Sequence, residues 1–233
     1  MTDEVGATTI LLVGALLVRL AVTGAYERYV RAGMGAWLLV AGILLVLLGL
    51  YGVVRALRGT VTDDSHEHHE HEHHRPERAG WLLLIPVVAL LLVAPPALGS
   101  FGVDRNTVVA VSSGGRTFAS LSSSEPVPMT LLEYDERAAD HNGASFGTVR
   151  VQLTGFVARA ADGDGFRLAR YQIQCCAADA VAAVARVVGA SGDLPARDQW
   201  MTVTGTYHGS PGGIPELLTS IVSPIPPPRD PYE

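Results

Sequence analysis

Lysine is missing from this chain. All 17 of its basic side chains are arginine, and 23 acidic ones outnumber them. A net charge of −6 with no basic face argues against a general nucleic-acid binder. Aromatic residues make up only 6% of the chain and are scarce on its strand-like segments, which removes the stacking platforms that single-stranded nucleic acid requires. Cysteine is almost as rare, with Cys175 and Cys176 the only two and no CxxC spacing. Two thiols do not complete a zinc site without other ligands. A basic leader is lacking too: Asp3 and Glu4 stand where a cleavable signal would be positive, and no clear small-residue cleavage site follows the first apolar run.

Hydrophobic residues are 48% of the chain but crowd into its first hundred positions. Three apolar segments, Ala7–Ala25, Gly35–Val54 and Trp81–Leu98, each approach the roughly 20 residues that span a bilayer core. Pro86 predicts a kink in the third, and Pro95-Pro96 end it. Tyr26, Tyr29 and Trp37 flank the first connection and Tyr51 and Trp81 the second, where interfacial anchors belong. Arg55, Arg58, Arg75 and Arg78 lie in the second connection against Arg28 and Arg31 in the first. The positive-inside rule therefore predicts a multi-pass cell-membrane protein with a cytoplasmic N-terminus and an extracytoplasmic C-terminal domain. Gly35, Gly42 and Gly49 form one stripe on the second span, which permits close approach of another helix, and three spans without an intramembrane acid imply a partner for any transport.

Between the second and third spans runs DDSHEHHEHEHHRPER, residues 63–78. His66, His68, His69, His71, His73 and His74 alternate with Glu67, Glu70 and Glu72, and imidazole with carboxylate suits a divalent ion, Zn²⁺ first. A segment of this composition holds ions loosely rather than in one fixed geometry.

Beyond residue 99 the composition is that of a folded aqueous domain. Residues 100–146 read as a Ser/Gly-rich tether with a short strand, Thr107–Val111, and an amphipathic helix over Met129–Ala139. Residues 147–233 read as the β domain itself. In TVRVQLTGFVARA, Val149, Val151 and Leu153 alternate with Arg150, Gln152 and Thr154, and Gly155 suggests a bulge. The turn Asp162–Gly165 leads into a strand ending at the cysteines, with a change of phase near Ala169 and Arg170. Val181, Val184 and Val188 predict a helix stopped by Gly189, with Asp179 at its N-terminus. Gln199–Tyr207 and Glu216–Val222 complete the strands. The fold class expected is three membrane spans followed by a small, mostly-β domain with one helix, an OB-like barrel.

Cys175, Cys176 and Asp179 form the block most suggestive of chemistry. In an extended strand the two thiols would point to opposite faces, and one beside a helix N-terminus would have a lowered pKa. The competing reading is two small buried hydrophobes. A disulfide between neighbours is disfavoured by strain.

GFVARA, FRLARYQIQCCAADA, DQWMTVTGTY and PIPPPRDPY resemble the YcgQ-like bacterial membrane proteins over most of the chain. Cys175, Cys176, Ala178 and Asp179 match that family's block. The resemblance implies N-terminal spans, a His-rich loop, a C-terminal domain, and pairing with a larger permease subunit in the membrane. No catalytic residue comes with it. The function expected is a non-enzymatic, membrane-anchored accessory subunit of a permease system, linked to zinc handling and binding no nucleic acid. Two alternatives stand beside it: a tethered thiol-redox or metal-relay protein using Cys175 and Cys176, and an OB-type ligand-binding module.

Overall fold

The computed structural model describes residues 2–59, 85, 88–89, 96–103, 117–160, 165–190, 194–210 and 213–233. Two compact units divide the chain: Met1–Glu27 with Ala32–Pro95, and Arg28–Arg31 with Pro96–Glu233.

The first unit is built on two helices, α1 (Thr2–Thr23) and α2 (Gly35–Gly59). Unbroken Leu/Val/Ala runs without an interior proline let both extend over their whole apolar stretch. α1 stops where the Thr23 hydroxyl turns back to the Arg19 carbonyl (2.8 Å) and Gly24 takes up a left-handed φ of 73°. The glycine stripe of α2 packs against α1. A Cβ at Gly49 would lie 2.7 Å from the Leu11 amide nitrogen, one at Gly14 2.7 Å from that of Val46, and one at Gly42 2.9 Å from a Val18 methyl. Gly35 makes room instead for the Tyr26 ring, whose hydroxyl donates to the Ala32 carbonyl at 2.7 Å. The small-residue face is thus occupied inside this chain. Trp37, Leu44, Leu47, Leu48 and Tyr51 point outward.

Among the described residues these are the two helices long and apolar enough to cross a membrane. Most of the third expected span, Trp81–Leu98, lies outside the described residues, as do the histidine loop, the strand Thr107–Val111 and most of the turn Asp162–Gly165. Two of the three expected spans thus have a described helix.

The second unit is a closed five-stranded barrel. Its strands are β2 (Val151–Ala160), β3 (Phe166–Gln172), β4 (Val181–Val188), β5 (Trp200–Tyr207) and β6 (Glu216–Pro224), preceded by a two-residue strand β1 (Val127–Pro128) parallel to β2. The order is β2-β3-β4-β6-β5, and β5 returns to β2 to close the ring. All its pairs are antiparallel except β4–β6, which run parallel over Arg186↔Glu216, Val187↔Leu217 and Val188↔Leu218.

All five strands contribute to one core: Val151, Leu153, Phe166, Leu168, Ala185, Val187, Met201, Val203 and Leu217 are buried together. Helix α3 (Ser100–Val103) and helix α4 (Leu131–Ala139) belong to this unit. α4 begins where the Thr130 hydroxyl accepts the Glu133 amide, and its Leu131, Tyr134 and Ala138 enter the core at helical spacing. The Tyr134 hydroxyl donates to the Glu216 carbonyl at 2.6 Å. A second cluster, with Phe156, Ala169, Tyr171, Ala182, Val184 and Trp200, lies on the other face of the same strands and is covered by Val103 and Tyr232.

Two expectations are corrected here. Val181–Val188 is strand β4, not a helix: Ala183, Ala185 and Val187 face one cluster and Ala182 and Val184 the other. A strand buried on both faces shows no apolar–polar alternation, so periodicity does not betray it. Among the described residues of the domain the one longer helix is α4, close to the expected Met129–Ala139. The expected irregularities move as well. The β2–β3 register shifts between Val157 and Arg159, whereas β3 pairs with β4 without a break through Ala169 and Arg170. Gly155 serves close approach, since a Cβ there would meet the Ala169 carbonyl at 2.6 Å.

Candidate functional site

β3 ends at Gln172, and the chain turns sharply before β4 starts at Val181. Asp179 organises that turn. Its carboxylate accepts the amides of Gln174 (2.9 Å), Cys175 (2.9 Å) and Cys176 (3.3 Å). Cys176, extended at φ −153° and ψ 168°, precedes a single 3-10 turn, Ala177–Asp179. Its sulfur accepts the Asp179 amide while Asp179 accepts the Cys176 amide, a reciprocal cap with cysteine where serine or threonine is usual.

This wrapping brings the sulfurs together. Cys175 Sγ and Cys176 Sγ are 3.7 Å apart, and both lie within 4.8 Å of an Asp179 carboxylate oxygen. Both thiols are free, Cys175 exposed and Cys176 half-buried. The Cys175 thiol and then the surrounding amides hold the Asp179 carboxyl down at about 2. The same carboxylate, followed by the Cys176 thiol, pushes the Cys175 thiol up to about 11. A charge-assisted bond to the neutral thiol favours that neutral form.

The turn is fixed from two sides. Residues 29–31, which belong to this unit, lie antiparallel to it: Val30 bridges Cys176, the Ala177 amide donates to the Tyr29 carbonyl at 2.7 Å, and the Arg31 amide donates to the Cys175 carbonyl at 3.2 Å. On the β3 side, Tyr232 runs parallel to Tyr171, and the Glu233 amide donates to the Tyr171 carbonyl at 2.9 Å. The Tyr232 hydroxyl donates to the Arg28 carbonyl at 2.6 Å and accepts the Leu98 amide at 3.4 Å. Glu233 reaches α4, its carboxylate accepting the Leu131 and Leu132 amides at 3.0 and 3.2 Å. Arg170 donates to the Asp230 and Tyr232 carbonyls at 3.0 and 3.1 Å, and its guanidinium lies 5.6 Å over the Trp200 ring.

The cysteine block is therefore a site of a different kind from the one its sequence suggests. The thiols do not point to opposite faces, because they leave the strand and enter a turn. No α-helix follows whose dipole would acidify a thiol here, and the adjacent carboxylate acts on Cys175 in the reverse direction. Asp179 is not the cap of a long helix but the hub of the turn. His66, His68, His69, His71, His73 and His74 all lie outside the described residues. What sequence reasoning missed is the participation of Tyr29–Arg31 and Tyr232. The first pairs across nearly 150 positions and leaves no local signal, while the second lies in the PIPPPRDPY stretch already singled out.

Chemically, the turn offers two soft donors and one hard donor on a backbone that is held in place. The carboxylate beside the thiols is held ionised near 2, which makes it a weak base, and the raised Cys175 pKa is unfavourable for a nucleophile at neutral pH.

Two family models match this chain: the DUF1980 N-terminal domain over residues 7–108 and the DUF1980 C-terminal domain over residues 134–232. No curated protein and no solved structure matches it.

Proposed function

We propose, for a chain that belongs to the DUF1980 family, a non-enzymatic role as the membrane-anchored accessory subunit of a permease system that handles a divalent metal, zinc foremost. The observation that carries this reading is the use of Arg28–Arg31 inside the barrel unit. These four residues lie within the connection between α1 and α2. If both helices cross the bilayer, that connection and the barrel share one side of it. The chain must then cross again between Gly59 and Pro96, where the apolar run Trp81–Leu98 stands. The arginine count supports a reading with that shared side outside and the histidine loop inside.

The glycine contacts are satisfied within this chain, so a partner would not dock on that stripe. α1 and α2 approach so closely that no pathway fits between them, so translocation falls to a larger subunit docked elsewhere on the bundle. The barrel order, antiparallel throughout except β4–β6, is the arrangement of the OB type, and we read the domain as such. A thiol-redox role is less well supported, since the Asp179 carboxylate stabilises the protonated Cys175.

The test is zinc accumulation in cells that lack this chain. Uptake of radioactive zinc should change in its absence and return with the wild-type chain. It should not return fully with His66, His68, His69, His71, His73 and His74 all replaced by alanine. Identical uptake in all three strains would overturn the assignment.

A further inference from the structure

We propose that Cys175 and Cys176 are paired thiolate ligands of one tetrahedral ion of the zinc class, forming a metal site on the barrel that is independent of the histidine loop. The argument starts from a distance. Two thiolates at about 2.3 Å from a tetrahedral ion lie about 3.8 Å from one another. The sulfurs here are 3.7 Å apart, nearly twice the length of a disulfide and close to the spacing that shared coordination requires. Neighbouring residues in an extended strand do not present their side chains this way, because successive side chains alternate. The spacing is produced by the turn, and specifically by the Asp179 carboxylate drawing in three successive amides.

The surroundings fit the same use. Cys175 is exposed, so an ion has access without the barrel opening. Asp179 lies within 4.8 Å of both sulfurs and brings a third donor, although three amides already occupy part of its accepting capacity. It therefore acts first by positioning the thiols and second as a ligand through its remaining lone pair. Binding releases the two thiol protons to water, and two thiolates neutralise a divalent charge. The remaining positions are open to water or to a donor from another molecule, which is the form of a site that receives and passes on an ion rather than one that locks it in a structural cage. Thiolate donors select zinc-class and softer ions over Mg²⁺ or Ca²⁺. The backbone on both sides is anchored by Tyr29–Arg31 and by Tyr232, so the sulfurs are preorganised before an ion arrives.

The experiment uses the full chain in detergent with the six loop histidines replaced by alanine, so that the loop cannot supply the signal. Co²⁺ is the probe, because thiolate ligation produces a sulfur-to-metal charge-transfer band and four-coordination strengthens the visible bands. One equivalent of Co²⁺ should produce both, and Zn²⁺ should displace it. Cys175→Ser and Cys176→Ser should each lose the charge-transfer intensity and weaken binding by more than about 100-fold, beyond the 10–100-fold typical of second-sphere losses. Asp179→Asn should keep the charge-transfer band while weakening binding by about 10–100-fold, as a positioning residue would. Near-ultraviolet circular dichroism of Cys175→Ser should match the parent, since this side chain is exposed. Absence of the thiolate band from the parent, or its survival in both serine variants, overturns the site. So does a thiol titration of the unreduced, denatured parent that finds neither thiol. Because the loop histidines are absent throughout, failure here leaves the zinc-uptake reading above to stand or fall on its own test.

Discussion

Replacing Tyr232 by phenylalanine isolates one hydroxyl that joins two distant pieces of backbone. It donates to the Arg28 carbonyl at 2.6 Å and accepts the Leu98 amide at 3.4 Å, while the ring is only 4% exposed among Phe156, Tyr171 and Trp200. The first bond is short and worth about 1 kcal/mol net; the second is long and adds less than about 0.5 kcal/mol. Tyr232→Phe should therefore destabilise the barrel unit by about 1–1.5 kcal/mol and lower its melting temperature by roughly 4 °C. Tyr232→Ala removes the ring as well and should cost about 3–5 kcal/mol. Hydrogen exchange on the full chain supplies a local readout. The Leu98 amide loses its acceptor outright, and the Arg31 and Ala177 amides, one strand-like pairing away, should exchange about fivefold faster at a cost near 1 kcal/mol. If Tyr232→Phe melts with the parent and leaves all three amides unchanged, the hydroxyl contributes nothing and the anchoring argument for the cysteine turn loses one of its two sides.

In a background with Cys175 and Cys176 replaced by alanine, Gly33→Cys and Ser122→Cys should both react with an impermeant maleimide on intact cells. Ser65→Cys should react only after lysis; the inverted pattern would reverse the orientation, and any pattern that separates Gly33 from Ser122 or groups Ser65 with them would refute the three-crossing topology. Gly49→Leu places a side chain where a Cβ alone would lie 2.7 Å from Leu11, so it should separate α1 from α2 at a cost of at least about 1–3 kcal/mol, read as loss of a disulfide engineered across the pair. Burial raises the Glu233 carboxyl above its ordinary 4.5 despite the Leu131 and Leu132 amides, so its proton-linked stabilisation is complete below that value and is lost as pH rises through the raised one. The melting temperature of the parent relative to Glu233→Gln should accordingly fall from pH 4.5 upward, and a rise would reverse the sign of the argument.

Which parts of this molecule were legible in the sequence follows from which signals are local. β2 announced itself because Val151 and Leu153 face the core while Gln152 is exposed. The same holds for α4, where Leu131, Tyr134 and Ala138 recur at helical spacing behind a threonine cap. β4 did not, because VAAVARVV is buried on both faces, and a run of eight residues that is apolar but for Arg186 carries no period to distinguish strand from helix. The glycine stripe of α2 was visible, but its partner was not: the sequence cannot say whether Leu11 of the same chain or another protein fills the groove. The cysteine turn was found as a motif and misjudged as geometry. What reversed the thiol acidity was the direction in which the Asp179 carboxylate folds back, and that is set by three amide bonds rather than by composition.

The parallel contact between β4 and β6 covers only three residue pairs, with Arg186 and Glu216 at 3.4 Å across its first rung. Every other seam of the barrel is longer and antiparallel. Closure therefore depends on the pairing that brings strands together without a hairpin, and such pairings pay their loop entropy before any contact rewards them. Of the barrel's five strands, β6 is also the last to be made. Until it docks, the chain is an open curl with β4 as a bare edge, and β4 is apolar on both faces except at Arg186. An exposed strand of that kind is what recruits neighbouring chains into aggregates. The vulnerable interval in the life of this protein is thus the short one between the making of β4 and the arrival of β6, and a slower terminal stretch would lengthen it.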